Sequence, residues 1–451
     1  YKYENGNFVL DEQENQLSAS SGYWGGQYNH DWGDYDNDGA LDLVSGGISI
    51  FDNTNYLNVF NNLYVLLSID TTQTDLVPLF PSAVVWIDIN RDNHLDLLAL
   101  GRLGSDGISH MYINDSTGNL TLSSEQPFSI PSTLHAISVG DYNNDSYPDL
   151  YVSNFRGKNR LYKNNGDSTF TDVAEEKGVS NPFSSFPAWF WDFDNDGHLD
   201  IFVASYSGNI EHLAAHRLNE PTEFETICLY KNNGKGGFIE VSKEVGLNDP
   251  VLPMGSNFGD INNDGYLDFY LGTGDPGFGS LMPNLMYLNR GGIKFDDVTM
   301  ASRLGHLQKG HAVAFADLDK DGDLDLFEQL GGAYPGDGYR DALFENPGFG
   351  NASISLKING EQSNRSAIGA RIKINFIENG KVRSVFRQVS SGGSFGANPL
   401  RQCIGIGKAQ VVDSIEIYWP TTGKVQKFEN INAGSIIEIN EGSDQIRYIV
   451  N

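Results

Sequence analysis

The sequence predicts an all-β chain: a β-propeller of four-stranded sheets, followed by a smaller sandwich-like β domain. Three observations carry this. A ten-residue acidic motif, Asp34-Tyr35-Asp36-Asn37-Asp38-Gly39-Ala40-Leu41-Asp42-Leu43, recurs five more times, starting at Asp88, Asp141, Asp192, Asp260 and Asp317. The copies are spaced by 54, 53, 51, 68 and 57 residues, a period that suits one supersecondary unit per copy. Each copy lies between two short apolar, β-prone runs, and an Asn-Gly hairpin signal follows several of them.

The motif itself has the chemistry of a hard-cation loop. Oxygen-bearing side chains fall at positions 1, 3, 5 and 9, and a turn residue at position 6. Position 7 is placed to offer its backbone carbonyl. The candidate ligands are therefore Asp34, Asp36, Asp38, Ala40 and Asp42; Asp88, Asn90, Asp92, His94 and Asp96; and Asp141, Asn143, Asp145, Tyr147 and Asp149. They continue with Asp192, Asp194, Asp196, His198 and Asp200; Asp260, Asn262, Asp264, Tyr266 and Asp268; and Asp317, Asp319, Asp321, Asp323 and Asp325. Ca2+ takes six to eight oxygens at about 2.3–2.6 Å, so about six structural Ca2+ sites are expected. A single copy reads equally well as an ordinary Asp/Asn/Gly turn; six in register do not. EF-hands are excluded, because strands rather than helices flank the loops. In addition, position 12 is Ser45, Ala99, Val152, Val203 and Leu271 in the first five. Asn93 and Ser146 replace Gly at position 6, and Ser tolerates left-handed backbone less well than Asn.

Taken in order, residues 1–10 read as the hairpin of a unit without its own loop. The last unit, ending in Ala342-Leu343-Phe344-Glu345-Asn346, lacks a fourth strand. Pairing the N-terminal strand into that last blade would close the ring and remove exposed edges; six blades are favoured, and seven fit with one divergent blade. The hairpin signature is clearest in Leu161-Tyr162-Lys163-Asn164-Asn165-Gly166, Leu229-Tyr230-Lys231-Asn232-Asn233-Gly234 and Met286-Tyr287-Leu288-Asn289-Arg290-Gly291. The long spacing marks an insertion over 205–227. Within it, His212 and His216 stand four apart on a short helical pattern, read mainly as a solvated helix because H-E-x-x-H chemistry is missing. From 351 the loops stop, and segments 354–358, 370–377, 382–389, 414–419, 425–428 and 435–439 alternate as strands. The expected domains are 1–350 and 351–451.

A formal charge of -29 argues against nucleic acid or an anionic membrane as partner, and 21 of the acidic groups are loop aspartates. No apolar run reaches 18 residues, so no membrane span is expected. No signal peptide is expected within the given sequence, and Tyr1 falls inside a repeat, so a processed or trimmed chain is expected. Cys228 and Cys403 are too few for a disulfide framework; one bridge and two buried thiols are equally open. Sequons occur at Asn114, Asn119, Asn144, Asn351 and Asn364.

With those residues in view, the loops and the Leu-Tyr-x-Asn-x-Gly…Phe signature resemble FG-GAP/VCBS propeller repeats. The stretch Asn364-Arg365-Ser366-Ala367-Ile368-Gly369, Gly405-Ile406-Gly407 and Val412…Trp419-Pro420 is similar to the ASPIC/UnbV module. Their order resembles the cartilage acidic protein family and its bacterial relatives. The resemblance implies a Ca2+-binding, extracellular protein, but no single activity.

No nucleophile elbow, P-loop, dinucleotide fingerprint or zinc cysteine cluster occurs, and no cofactor-binding residues are assigned. Six residues before each loop stand Tyr28, Ser82, His135, Phe186, Met254 and His311, near one mouth of the expected channel. His135, His311 and Tyr28 are the weak catalytic candidates; His135 and His311 would face each other across a six-bladed ring. The bland reading, preferred, makes both His channel fillers. Trp32, Trp189, Phe190 and Trp191 read as blade packing before a sugar platform. The favoured function is a secreted or cell-surface calcium-binding scaffold recognising a protein or glycan, with a periplasmic location also open. The alternatives are a lyase- or dehydratase-like carbohydrate enzyme at the channel mouth and a structural subunit of a surface assembly, in which self-association would occur.

Overall fold

Every loop copy is entered and left at the same strand register. In the computed structural model the residue before position 1 pairs with position 9 in all six copies: Gly33 with Asp42, Ile87 with Asp96, Gly140 with Asp149, Trp191 with Asp200, Gly259 with Asp268 and Ala316 with Asp325. Position 9 is thus the first residue of the second strand. The structure describes residues 2–4, 7–9, 27–48, 55–62, 67–76, 81–101, 109–124, 134–274, 282–331, 339–390 and 394–449. The chain divides into two units, one of 1–88, 93–132 and 364–366, the other of 89–92, 133–363 and 367–451.

In the first unit, β1 (Lys2–Glu4) and β2 (Asn7–Val9) make the N-terminal hairpin expected from the sequence. Two antiparallel four-stranded sheets follow. One is β3 (Gln27–Gly33), β4 (Asp42–Ile48), β5 (Asn55–Asn62) and β6 (Leu67–Ile69); the other is β7 (Pro81–Ile87), β8 (Asp96–Gly101), β9 (His110–Asn114) and β10 (Leu120–Leu122).

In the second unit the same meander repeats. Its first sheet is β11 (Leu134–Gly140), β12 (Asp149–Asn154), β13 (Arg160–Asn164) and β14 (Phe170–Asp172), followed by the single-turn α1 (Ala174–Lys177). Next come β15 (Ser185–Trp191) and β16 (Asp200–Ser205), the insertion helix α2 (Ile210–Arg217), then β17 (Cys228–Asn232) and β18 (Phe238–Glu240). The third sheet is β19 (Pro253–Gly259), β20 (Asp268–Thr273), β21 (Leu285–Asn289) and β22 (Phe295–Asp297), followed by α3 (Thr299–Ser302). The last propeller sheet, β23 (Gly310–Ala316), β24 (Asp325–Leu330) and β25 (Ala342–Phe344), has three strands among the described residues, as expected from the sequence. First strands of successive sheets lie side by side: β11 with β15, β15 with β19, β19 with β23.

Each first strand carries a register shift at the same place, spanning Tyr28, Ser82, His135, Phe186, Met254 and His311. A bulge bends its strand and re-aims the side chain on it. The six residues picked out by their offset from the loops are therefore the bulge residues.

The expected role of the tryptophans as packing between sheets holds. Trp189 stacks on Phe202 with ring centroids 4.0 Å apart, and Trp191 lies parallel to Phe295 at 5.8 Å. Both tryptophans are fully buried in a cluster spanning two adjacent sheets, with Phe269 and Tyr287. Burying each such ring contributes about 2–3 kcal/mol.

Beyond residue 351 the chain forms β26 (Ala352–Asn359), β27 (Arg371–Glu378), β28 (Lys381–Gln388), β29 (Gln402–Gly407), β30 (Val411–Tyr418), β31 (Val425–Asn432), β32 (Ile436–Asn440) and β33 (Ile446–Tyr448). They make two sheets, ordered β29-β26-β32-β33 and β28-β27-β30-β31, with β26 and β32 parallel. The inward side chains of both, among them Leu356, Ile374, Phe376, Ile404, Ile415 and Trp419, close one core. All six strands expected from alternation are present; β29 and β33 are additional.

Candidate metal centres

Two backbone positions in each loop are left-handed. Position 6 has φ from 75° at Ser146 to 95° at Gly39, and position 4 has φ from 55° at Asn263 to 67° at Lys320. Ser146 adopts the same turn as the glycines, with its hydroxyl hydrogen-bonded to the Tyr418 hydroxyl.

The turn holds its acidic side chains by bonds from the loop's own backbone. The position-6 N–H donates to Oδ2 of position 1, at 2.8 Å for Gly39 to Asp34 and for Gly197 to Asp192, and 2.7 Å for Gly265 to Asp260. The position-5 N–H donates to the position-3 side chain, as in Asp38 to Asp36 at 3.1 Å and Asp264 to Asn262 at 2.9 Å. The position-7 N–H donates to Oδ1 of position 5, as in Ala40 to Asp38 at 2.7 Å. These bonds fix the side chains in the turn, and among the position-1 groups Asp34 keeps one oxygen without a hydrogen bond.

Three triads bring ligand atoms within 4.8 Å of one another: Asp34, Asp36 and Asp42; Asp192, Asp194 and Asp200; and Asp317, Asp319 and Asp321. Asp34 Oδ1 and Asp194 Oδ1 are buried without a hydrogen-bond partner. Burial pushes Asp34 and Asp192 up to about 7 and Asp42 and Asp149 up to about 8; it raises Asp200 and Asp268 strongly as well. Buried, mutually repelling carboxylates with unbonded oxygens need a cation or protons. An all-oxygen donor set on a tight turn fits a hard divalent ion. In the loops starting at Asp88, Asp141 and Asp260, an asparagine stands at position 3, so the donor set is less charged.

The side chains at positions 4 and 7 have a second role, which was not read from the sequence. Asn37 Nδ2 lies 3.0 Å from His94 Nδ1, Asn144 Nδ2 lies 3.1 Å from His198 Nδ1, and Asn263 Nδ2 donates to Asp323 Oδ1 at 2.7 Å. Each links position 4 of one loop to position 7 of the next. Position 7 can thus give its carbonyl to an ion while its side chain tethers the neighbouring loop. The signal was present, since position 4 is Asn in four of the six copies.

Lys231, on β17, pairs with Asp194 and lies 3.3 Å from Asp196 Oδ2. Its ammonium competes with a divalent ion for two ligands of one loop. Replacing it, Lys231→Met, is expected to tighten that loop's Ca2+ affinity by roughly tenfold, read as one shifted site in a calorimetric titration.

The catalytic candidates are Tyr28, His135 and His311. Tyr28 lies in β3, but its side chain falls outside the described residues. His135 sits among aromatic rings, 4.2 Å from Phe186, 5.3 Å from Phe155 and 6.2 Å from Phe395. Phe395 belongs to segment 394–398 of the C-terminal region, which lies along the first strands β19 and β23. Ser394 and Ser256 exchange backbone hydrogen bonds of 2.7 and 2.8 Å, and the Val313 N–H donates to the Phe395 carbonyl at 3.0 Å. Asn398 accepts from the Phe315 N–H and donates to the Phe258 carbonyl, both at 2.8 Å. Gly396 has φ of 137°, and a Cβ there would stand 1.9 Å from the Val313 carbonyl oxygen, so only glycine lets the segment approach so closely. The segment thus brings Phe395 beside His135. His216 is held by Asp249 at 2.9 Å on the exposed α2, and no metal-ligand group forms there among the described residues. Cys228 and Cys403 are both free thiols, pushed up to about 12 by burial.

The C-terminal sheets dock on the loops of the same unit. Arg387, fully buried, reaches the Gly265 carbonyl at 3.1 Å and Asp260 Oδ2 at 3.8 Å. Gly407 N–H donates to Asn263 O at 2.9 Å, Arg383 Nη2 to Asp264 O at 2.7 Å, and Asn351 Nδ2 to Asn262 O at 2.8 Å. Gly405 leaves no room for a side chain; a Cβ would meet Asp260 Oδ2 at 2.3 Å.

Comparison with known proteins agrees with this architecture. The FG-GAP-like repeat family matches at 88–152, 141–203 and 192–271, and the ASPIC and UnbV family at 360–446. Human cartilage acidic protein 1 is 25% identical over 316 residues, covering 67% of this chain and 43% of that protein. The Xenopus tropicalis protein of the same name is 30% identical over 136 residues, 30% of this chain and 18% of that one. The chain therefore spans less than half the length of these relatives. Among solved structures, Saccharomyces cerevisiae Sqt1 is similar at a TM-score of 0.40 and 10% identity, covering 93% of this chain and 92% of that one. The Dos1 propeller is similar at 0.38 and 10%, covering 93% and 88%. This chain is an FG-GAP-repeat β-propeller with an ASPIC and UnbV module, homologous to cartilage acidic protein 1.

Proposed function

We propose that the protein is a calcium-binding propeller scaffold, secreted or held at the cell surface, that recognises a protein or glycan partner. Residues 1–350 form the propeller and 351–451 the β module seated on its loops. Ca2+ sits in about six loops, held by the side chains at positions 1, 3, 5 and 9 and the carbonyl at position 7. The observation that carries this reading is the pair of buried, unbonded carboxylate oxygens, Asp34 Oδ1 and Asp194 Oδ1, inside triads of converging aspartates. No helix among the described residues is long and apolar enough to cross a membrane. The likeness to cartilage acidic protein 1 supports an extracellular setting, where millimolar calcium would keep weak sites filled.

Phe395 packs near His135, with ring centroids 6.2 Å apart, which supports the reading of that histidine as a filler. Elemental analysis after dialysis against about 1 mM CaCl2 is expected to find about six Ca2+ per chain. A count near zero overturns the reading. The partner class is then sought on protein and glycan arrays probed with calcium and with chelator; signals lost on chelation belong to the folded scaffold.

A further inference from the structure

A cavity of about 300 Å3 lies in the second unit between the loop ends of the first strands and the C-terminal sheets. That volume is at the lower end of the range for small-molecule sites, roughly 300–1,000 Å3. Its wall is apolar and repeats with the fold. The residue two before each loop contributes Phe190, Phe258 and Phe315, and at the same register Val139 contributes the smallest side chain. The missing ring at Val139 is part of what leaves the space open.

The rest of the lining is polar and charged. It includes Arg371, Lys373, Arg387 and Arg401 together with Asp192, Asp260, Asp317 and Glu416. Arg387 is committed to Asp260, and Lys373 stands directly opposite Glu416 in the β27–β30 pairing. Asp192 and Asp317 are position-1 residues turned to their loops. Once cations fill those loops, a count that rests on the calcium reading above, Arg371 and Arg401 remain as net positive charge. Gln388 also lines the cavity, and its amide donates to the Val139 carbonyl at 3.4 Å.

We propose that this cavity binds a small, largely apolar organic anion of the arylalkyl carboxylate class. The aromatic wall takes the ring, and Arg371 and Arg401 attract the carboxylate. A ligand without the charge is discriminated against, because the charge-assisted contact is then lost.

The test is calorimetric titration of the calcium-saturated full chain with 3-phenylpropionate and its methyl ester. The acid is expected to bind, with the ester weaker by about tenfold or more. Val139→Phe places at this register the ring that three neighbouring strands already accept. It is expected to abolish binding while leaving the calcium count and melting temperature unchanged. Should that variant fold poorly, Arg401→Met decides: it weakens the acid but not the ester. Absence of binding to the wild type, or equal binding by Val139→Phe in folded form, overturns the proposal. Because calcium is counted on the same samples, failure of the cavity and failure of the calcium reading are separate results.

Discussion

Chelation of calcium is expected to lower the melting temperature by roughly 10 °C or more and to reverse the sign of its pH dependence. A ligand at a hundred times its Kd stabilises by about 2.7 kcal/mol per site, so several filled loops add up to a large part of the net stability of a chain this size. Without the ion, the position-1 and position-9 carboxylates are buried beside one another. Asp34 and Asp192 then titrate near 7, and Asp42 and Asp149 near 8. In the unfolded chain these groups titrate near 3.9. Between about pH 4 and pH 8 the folded apo chain therefore binds more protons than the unfolded chain, and its stability falls as pH rises. The chelated protein should melt higher at pH 5 than at pH 8. With calcium present the order inverts, since the ion must displace those protons and binds better as pH rises. Differential scanning calorimetry at the two pH values, with and without chelator, reads all four melting temperatures. Identical melting with and without chelator would mean the aspartates are ordinary turns.

The loops were legible in the sequence because a short-range motif carries its own geometry. Asp at alternate positions and Gly at position 6 specify the turn whatever surrounds it, and the structure repeats the same register in all six copies. The strands of the C-terminal sheets were legible from alternation, except β33 and β29. Its Gly405 and Gly407 have little β-propensity, and they are there because the backbone runs against the loop starting at Asp260. Long-range partners were not legible. Nothing in Ser394-Phe395-Gly396-Ala397-Asn398 announces that it will lie along β19 and β23, since its contacts are with residues more than 80 positions away. The bulges at His135 and His311 likewise depend on pairing between strands, so their offset from the loops was visible while their packing was not.

The signature asparagine on each third strand was read as part of a hairpin turn, and its larger role gives the second strong prediction. Asn289→Ala is expected to destabilise the protein by about 3–5 kcal/mol. The Asn289 side chain is fully buried on β21 and makes three bonds. Its Nδ2 donates to the Phe193 carbonyl at 2.7 Å and the Leu267 carbonyl at 3.2 Å, and its Oδ1 accepts from the Gly292 N–H at 2.8 Å. Phe193 is position 2 of the preceding loop, so one amide joins two neighbouring sheets. Its own backbone N–H meanwhile donates to Asp268 Oδ1 at 2.7 Å, bracing the position-9 carboxylate. The same arrangement recurs with Asn114 on Tyr35, Asn164 on Ile89, Asn232 on Tyr142 and Asn346 on Ile261. Alanine removes none of the backbone bonds but strands two buried carbonyls and one N–H, each costing about 1–3 kcal/mol unless water enters. The matched control is Asn165→Ala, whose exposed side chain bonds only within its own hairpin, to Thr169 and Thr171; its change should stay within about 0.5 kcal/mol. Denaturant titrations of both variants in saturating calcium make the comparison. If Asn289→Ala matches the control, the sheets are held together by their apolar faces alone and the amide is an ornament of the turn. If it is costly while the calcium count is unchanged, the asparagines join the sheets independently of the ions.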